Sequence, residues 1–415
     1  MTFRQAEEYL LSLELFGMRF GLDRMHKLMT VLGLPQRRFA SIHVVGTNGK
    51  SSTVRFLAAI LERHGLATGS YTSPHLGSFR ERIEVGEQPV SEEAFAAAVA
   101  SAAHAAELVD RTAEPDDRVT QFEALTAAVY HELARRGVEV AVIEAGLGGR
   151  FDATSVIPSK IQVITNVGLE HTRWLGPTVA DIAEEKLAVV RDHATLVAGR
   201  LDPDAHAIAE RVVAEHSARL VEPDLDAASA LRLRAGGAFQ RRNFALAAAA
   251  AEACLGRPLE PEPLERAAAE TRIPGRLDVV GERPLVVHDG AHNPSGAQAL
   301  AESLGDVMGE RRPRVGVIGV LEDKDAAGML RELLPQLDHA VFTRSVNPRS
   351  LSPATLESLA KQLGGPESSV VSDPGRAVEA ARQLAGPEGA VLVTGSIYLI
   401  ADLVRADATT RASTL

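Results

Sequence analysis

Cysteine is nearly absent. Cys254 is the only one in 415 residues, and a single thiol can form neither an internal disulfide nor a multi-cysteine zinc site. It lies in an Ala-rich stretch and reads as a small apolar packing residue. A chain without disulfides suits a reducing compartment. Aromatic residues make up only 4%, which leaves little for stacking nucleic-acid bases. Positive charge is not in excess. The formal net charge of −11 repels phosphate backbones and anionic membrane surfaces, so an anionic ligand has to be held by a local pocket. Long apolar runs are also missing. The longest near-apolar stretch, Phe244 to Leu255, contains Glu252 and is too short to span a bilayer. The opening residues, Met1 to Glu8, carry acids and lack the apolar segment of a secretory signal. These absences point to the cytoplasm, without nucleic acid or membrane as partner. A monomer is expected.

What remains is an ordinary globular balance, 45% apolar and 24% charged, in a chain long enough for two domains. Short apolar strands alternate with helical stretches. Ser41–Val45, Val138–Ile143 and Ile161–Thr165 read as strands, and 51–63 as a helix. This rhythm predicts parallel sheets covered by helices. Phe79–Val85 alternates like an edge or hairpin strand. The rhythm restarts after the Pro- and Gly-punctuated segments 273–276 and 281–284. Strands are expected at Leu285–Val287, Val315–Val320, Ala340–Thr343 and Val391–Thr394, with helices such as 294–304 and 354–363 between them. The fold class is therefore α/β with two domains. Residues 1–281 would form a P-loop-type, mostly parallel sheet with helices on both faces. Residues 282–415 would form a smaller Rossmann-like α/β domain.

Strand Ser41–Val45 runs into Gly46-Thr47-Asn48-Gly49-Lys50-Ser51-Ser52, and a helix follows. Glycines allow a tight turn that aims successive N–H groups at one anion. The helix start adds its positive dipole end. Lys50 supplies a mobile charge for the outer phosphates, and Ser51 or Ser52 could place a hydroxyl on Mg²⁺. The longer phosphate-loop form would need glycine where Val44 stands, so the match is to the shorter Gly-Thr-Asn-Gly-Lys form. Further on, strand Val138–Ile143 ends in Glu144-Ala145-Gly146-Leu147-Gly148-Gly149-Arg150-Phe151-Asp152-Ala153-Thr154. Phe151 occupies the third glycine position of a dinucleotide fingerprint, which removes the best support for an oxidoreductase. Strand Ile161–Thr165 delivers Asn166 to Thr172, with His171 at another strand end.

The Gly46–Lys50 loop resembles the phosphate loop of the Mur ligase superfamily. Thr72-Ser73-Pro74-His75-Leu76 follows at the spacing of its folate branch, and the Glu144–Thr154 segment closely resembles folylpolyglutamate synthases. Asp289-Gly290-Ala291-His292-Asn293-Pro294 is similar to a third family segment. The likeness runs from about residue 20 to 404. It implies ATP as cofactor. It also implies one or two magnesium ions, held by Ser73, Glu144 and His171, and contacts to ATP from Asn243, Arg276 and Asp289. By the same resemblance His292 lies near incoming glutamate, and Lys186 carries a carbamate made from CO₂ and its neutral amine. The residues after it, Leu187 to Arg191, depart from the commoner Ala-Gly-Ile pattern; without the carbamate, Lys186 would be a solvated lysine beside Asp181 or Glu184.

Thr120-Gln121-Phe122-Glu123 resembles a segment bordering the pterin pocket, though alone it reads equally as a helix start. Phe151, Asp152, Ala153 and Ser396 complete the implied substrate contacts. Segments 321–325 and 393–398 resemble family segments on the glutamate side, and Arg349 reads as a carboxylate clamp. The implied substrates are ATP, L-glutamate and a folate or dihydropteroate acceptor, joined through an acyl phosphate. Lys50, Lys186 and His292 are the expected catalytic residues. Bifunctional relatives often carry an acid just before the early Gly21-Leu22 loop, where this chain has Arg19. A cell-wall Mur ligase would carry an extra domain ahead of Gly46. A P-loop kinase or NTPase would need neither a second α/β domain nor the Asp-Gly-Ala-His-Asn-Pro segment, and a non-enzymatic nucleotide-binding module is the third alternative.

Overall fold

The structure is a computed structural model that describes residues 1–13, 21–114, 117–226 and 231–405. Arg19 lies outside the described residues. The first sheet is built from β1 (Ala40–Val45), β2 (Thr68–Tyr71), β3 (Ile83–Val85), β4 (Gln88–Pro89), β5 (Val140–Glu144), β6 (Ile161–Ile164), β7 (Thr195–Ala198) and β8 (Arg219–Val221). Their order is β4-β3-β2-β5-β1-β6-β7-β8. All neighbours are parallel except the β2–β3 and β3–β4 pairs, which make an antiparallel margin.

Side-chain alternation explains why helices cover both faces. On β1 and β5, Ile42, Val44, Val140 and Val142 point into a core under helices Lys50–Arg63 and Ala238–Leu255. Ala141 and Ile143 point the other way, into a core under helices Phe3–Ser12, Asp23–Val31, Glu92–Asp110 and Gln121–Arg135. Both faces are apolar, as a buried parallel sheet requires.

The second sheet holds β9 (Asp278–Glu282), β10 (Leu285–His288), β11 (Arg314–Ile318), β12 (His339–Phe342), β13 (Glu367–Val370) and β14 (Ala390–Thr394), in the order β13-β12-β11-β14-β10-β9. Two expectations are corrected here. Phe79–Val85 is not one strand. Residues Phe79–Arg82 form a 3₁₀ turn with Ser78 and Glu81 as a capping box, and only Ile83–Val85 pairs. The boundary read at residue 281 also falls inside β9, which pairs antiparallel with β10. The chain changes sheet before Asp278, and the Pro-Gly pair at 274–275 marks that change better than the later one. The first domain reaches across: Leu76 is buried in the second domain's core with Val286, Leu399 and Ile400.

Candidate active site

The carboxyl ends of β1, β5 and β6 lie side by side, since Val44 pairs with Glu144 and Val45 with Ile164. The loops that leave them therefore share one edge, where α/β sheets bind ligands. A cleft of about 730 Å³ opens there and is walled by both domains.

The phosphate loop is held from behind. Gly46 has φ of 146°, and a side chain there would meet Thr165 Oγ1 at 1.9 Å. Thr165 Oγ1 and Asn166 Nδ2 donate to Asn48 O at 2.6 and 3.0 Å, while Asn48 N donates to Asn166 Oδ1 at 3.0 Å. Gly49, with φ of 84°, caps helix Lys50–Arg63 and lies against Asn243, whose Oδ1 would be 2.5 Å from an added Cβ. Lys50 Nζ rests on Gly46 O at 3.2 Å and Thr47 O at 3.1 Å. Ser52 is buried beside it and lines the cleft.

Glu144, at the end of β5, is buried. It accepts from Ser51 Oγ at 2.9 Å and Ser73 N at 3.0 Å. Burial raises its pKa, against the pull of Lys50, these two donors and Arg276. His171 takes the left-handed conformation, with φ of 53°, at the start of helix Thr172–Leu175. Partial desolvation at the edge of the cleft, opposed by Glu170 and joined by the charges of Lys324, Lys50 and Lys186, lowers its pKa, though the side chain is still 40% exposed. Among the described residues no cluster of three or more His, Cys, Asp or Glu is placed to hold a metal. The expected set contains two such residues plus the Ser73 hydroxyl.

Lys186 is buried, and its Nζ donates to Gly46 O at 2.8 Å. It is no solvated helix residue. Asp181 caps its own helix with Thr178, and Glu184 pairs with Arg211. Burial, then the neighbouring Lys50 charge, brings the Lys186 amine down to about 7.

From the second domain, Asp289 accepts from Leu277 N at 2.9 Å and Ala291 N at 2.8 Å, which fixes the turn after β10. Burial raises its pKa against the nearby Arg276. Arg276 packs so close to Gly290 that an added Cβ would lie 2.3 Å from its guanidinium. Asn48 and Asn293 exchange amide hydrogen bonds of 3.2 and 3.0 Å, which ties the phosphate loop to the first turn of helix Pro294–Met308.

The substrate-side residues divide. Phe122 stacks on Tyr71, with ring centroids 6.1 Å apart, and faces the cleft with Phe151, Trp174 and Leu175. Thr120 and Glu123 form a capping box and also line the cleft, so both readings of that segment hold for them. Glu123 pairs with Arg24 at 3.0 Å. Gln121 does not line the cleft. Its side chain is buried and donates to Leu10 O at 2.8 Å, because this first-turn position faces helix Phe3–Ser12. Asp152 lines the cleft but is engaged by Leu147 N and Thr154 N, at 2.8 and 2.9 Å, as the cap of a 3₁₀ turn. Ala153 and Ser396 line the cleft. Ser396 caps the last helix, with its Oγ accepting from Tyr398 N at 3.1 Å.

Residues 44–235 match the Mur ligase middle domain, and residues 275–397 match the Mur ligase glutamate ligase domain. The dihydrofolate synthase/folylpolyglutamate synthase of Bacillus subtilis is 34% identical over 94% of this chain and 95% of its own length. The solved Mycobacterium tuberculosis folylpolyglutamate synthase complexed with ADP superposes with a TM-score of 0.89 and 31% identity, covering 96% of each chain. The chain belongs to the folylpolyglutamate synthase/dihydrofolate synthase family of Mur ligases. It spans 50% of the length of another relative, the probable bifunctional folylpolyglutamate synthase/dihydropteroate synthase of Haloferax volcanii, at 34% identity.

Several residues in or beside the cleft were given no role by the sequence. Asn166 supports the loop, Asn293 and Ser295 bond Asn48, and Glu170 meets His292 and Lys324. Asn166 and Glu170 flank recognised positions, but nothing in their spacing names a partner more than a hundred residues away.

Proposed function

We propose that this chain uses ATP to join L-glutamate to the carboxylate of a folate-type acceptor. The observation that carries this reading is the direct joining of the Gly46–Ser52 loop to the Asp289–Asn293 turn across one cleft, through Asn48 and Asn293. Nucleotide in that loop is then enclosed by both domains, beside a slot lined by Phe122, Phe151 and Trp174. A P-loop kinase or NTPase would not need a second α/β domain.

A free carboxylate is a poor electrophile. Attack of its oxygen on the γ-phosphorus of ATP forms an acyl phosphate and releases ADP. The glutamate amine then attacks the acyl carbon, and the amide forms as phosphate leaves. Lys50 neutralises charge on the transferring group. Enclosure between two domains keeps water from the acyl phosphate. Gly46, Thr47, Asn48, Gly49, Ser51 and Ser52 cradle the phosphates, with Asn243, Arg276 and Asp289 on the nucleotide.

The donor set fits magnesium, because a hard cation keeps waters and phosphate oxygens and takes few protein ligands. Ser73, Glu144 and His171 would hold it, and the bound ion would supply further charge neutralisation on the phosphates. Lys186 suits carbamate formation. Its amine is partly neutral near pH 7 and shares Gly46 O with Lys50. Loss of one proton leaves the neutral amine, and its addition to CO₂ with loss of a second proton would replace a crowded cation by an anion.

His292 is placed on the glutamate side, and Thr120, Phe122, Glu123, Phe151, Ala153 and Ser396 on the acceptor side. We place the protein in the cytoplasm as a monomer. No described helix is long and apolar enough to cross a membrane. The test is ATP-dependent incorporation of labelled glutamate, run separately with dihydropteroate and with a reduced folate. Incorporation with either supports the reading and names the acceptor, while ADP release that ignores glutamate would defeat it.

A further inference from the structure

Glu170 sits on the loop after β6, beside His171, and its side chain is 8% exposed. One of its oxygens, Oε1, meets two groups from the other domain: His292 Nε2 at 3.0 Å and Lys324 Nζ at 3.2 Å. His171 Nε2 lies 4.0 Å from the same oxygen. His292 Nδ1 meets Gly290 O at 2.9 Å. The charges continue outward, with Lys324 Nζ 3.9 Å from Asp323 and Arg349 3.5 Å from Asp323 on the far side. Lys324, Arg349 and the His292 ring thus gather on one side of the cleft, donors of the kind that receive the two carboxylates of an incoming amino acid.

We propose that Glu170 is a positioning residue of the glutamate subsite, fixing His292 and Lys324 of the second domain at one point of the cleft. The proposal rests on the glutamate-ligase reading. Without Glu170, His292 Nε2 loses the oxygen it meets and Lys324 is left with the more distant Asp323. A plain interdomain latch would act differently. It would loosen the cleft as a whole and weaken nucleotide, which both domains wall, as much as glutamate.

The test is steady-state ADP release by the full chain, varying glutamate at saturating ATP and then ATP at saturating glutamate. Glu170→Gln keeps the shape and removes the charge. Its KM for glutamate should rise about tenfold or more, the scale of losing one partner of an enclosed charge pair. Its KM for ATP should stay within about twofold, and Glu170→Asp should recover part of the loss. Thermal unfolding of both variants separates these effects from misfolding. An unchanged KM for glutamate, equal rises for both substrates, a variant too unstable to fold, or an Asp variant no better than Gln would each overturn the proposal. Unaltered protein with no glutamate-dependent ADP release would instead overturn the ligase reading, and this proposal with it.

Discussion

Lys50 and Lys186 reach the same oxygen, Gly46 O, from two helices that start far apart in the chain. Two ammonium groups on one carbonyl repel, and Lys186 is the buried one. It is therefore the one whose amine drops to about 7, while Lys50 remains beside the phosphate position. The two lysines should fail differently. Lys50→Ala should lower the rate of glutamate-dependent ADP release roughly a hundredfold or more, the scale of losing a transition-state charge partner. Lys186→Ala should also lower activity, as should CO₂-depleted buffer on the unaltered protein. Lys186→Arg should not restore it, since guanidinium forms no carbamate under these conditions. Full activity of Lys186→Arg, or indifference to CO₂, would remove the carbamate from the mechanism.

The strand–loop–helix unit 40–63 carries the same logic one level up. Its strand is buried on both faces, its glycines turn where side chains cannot fit, and its helix begins where the phosphates would sit. Gly46 is its tightest point, with positive φ and Thr165 Oγ1 in the way of any Cβ. Gly46→Ala should cost about 2 kcal/mol or more in stability from backbone strain alone. Displacing Thr165 would also cost Asn48 O one of its two donors, leaving Asn166 Nδ2. Thermal unfolding with and without ADP should show a lower midpoint and loss of the nucleotide-induced shift. A retained shift would mean that the loop tolerates the side chain and that its shape was misjudged. Helix Gln121–Arg135 shows the limit of reading elements from motifs. Its opening residues satisfy a capping box, and the same four residues face three different surroundings: the cleft, a neighbouring aromatic ring and the helix Phe3–Ser12.

Stability of the whole molecule should depend on His43. This side chain is on β1, faces the interior, and is 2.8 Å from Thr154 Oγ1. Burial, then the charge of Arg191, brings its pKa down from 6.5 to about 3. Between those values the unfolded chain binds a proton that the folded protein refuses. The stability that neutral His43 allows is full above pH 6.5. It falls by about 1.4 kcal/mol per pH unit as pH drops toward 3, and then levels off. Urea unfolding at pH 7 and pH 5 should show a loss about 2 kcal/mol larger in the unaltered protein than in His43→Gln. Equal losses would mean that His43 is protonated in the fold. The domain arrangement is also a property of the whole. Leu76 inserts into the second core, and the Asn48–Asn293 and Glu170–His292 contacts cross the cleft, so nucleotide and amino-acid sites are joined by packing as well as by the connecting chain.

The sequence by itself determined the two α/β domains, the phosphate loop and the family, because strands, glycine turns and loop–helix starts are set by residues close in the chain. It also named Lys50, Glu144, His171, Lys186 and His292, since each lies in a local pattern. Tertiary structure alone decided that Lys186 is buried against Gly46, that Gln121 turns from the cleft, that β9 belongs to the second sheet, and that Glu170 meets His292 and Lys324 of the other domain. Each of those facts depends on which distant segment lies opposite. A charge or an amide has no partner until the sheets and helices have brought one to it.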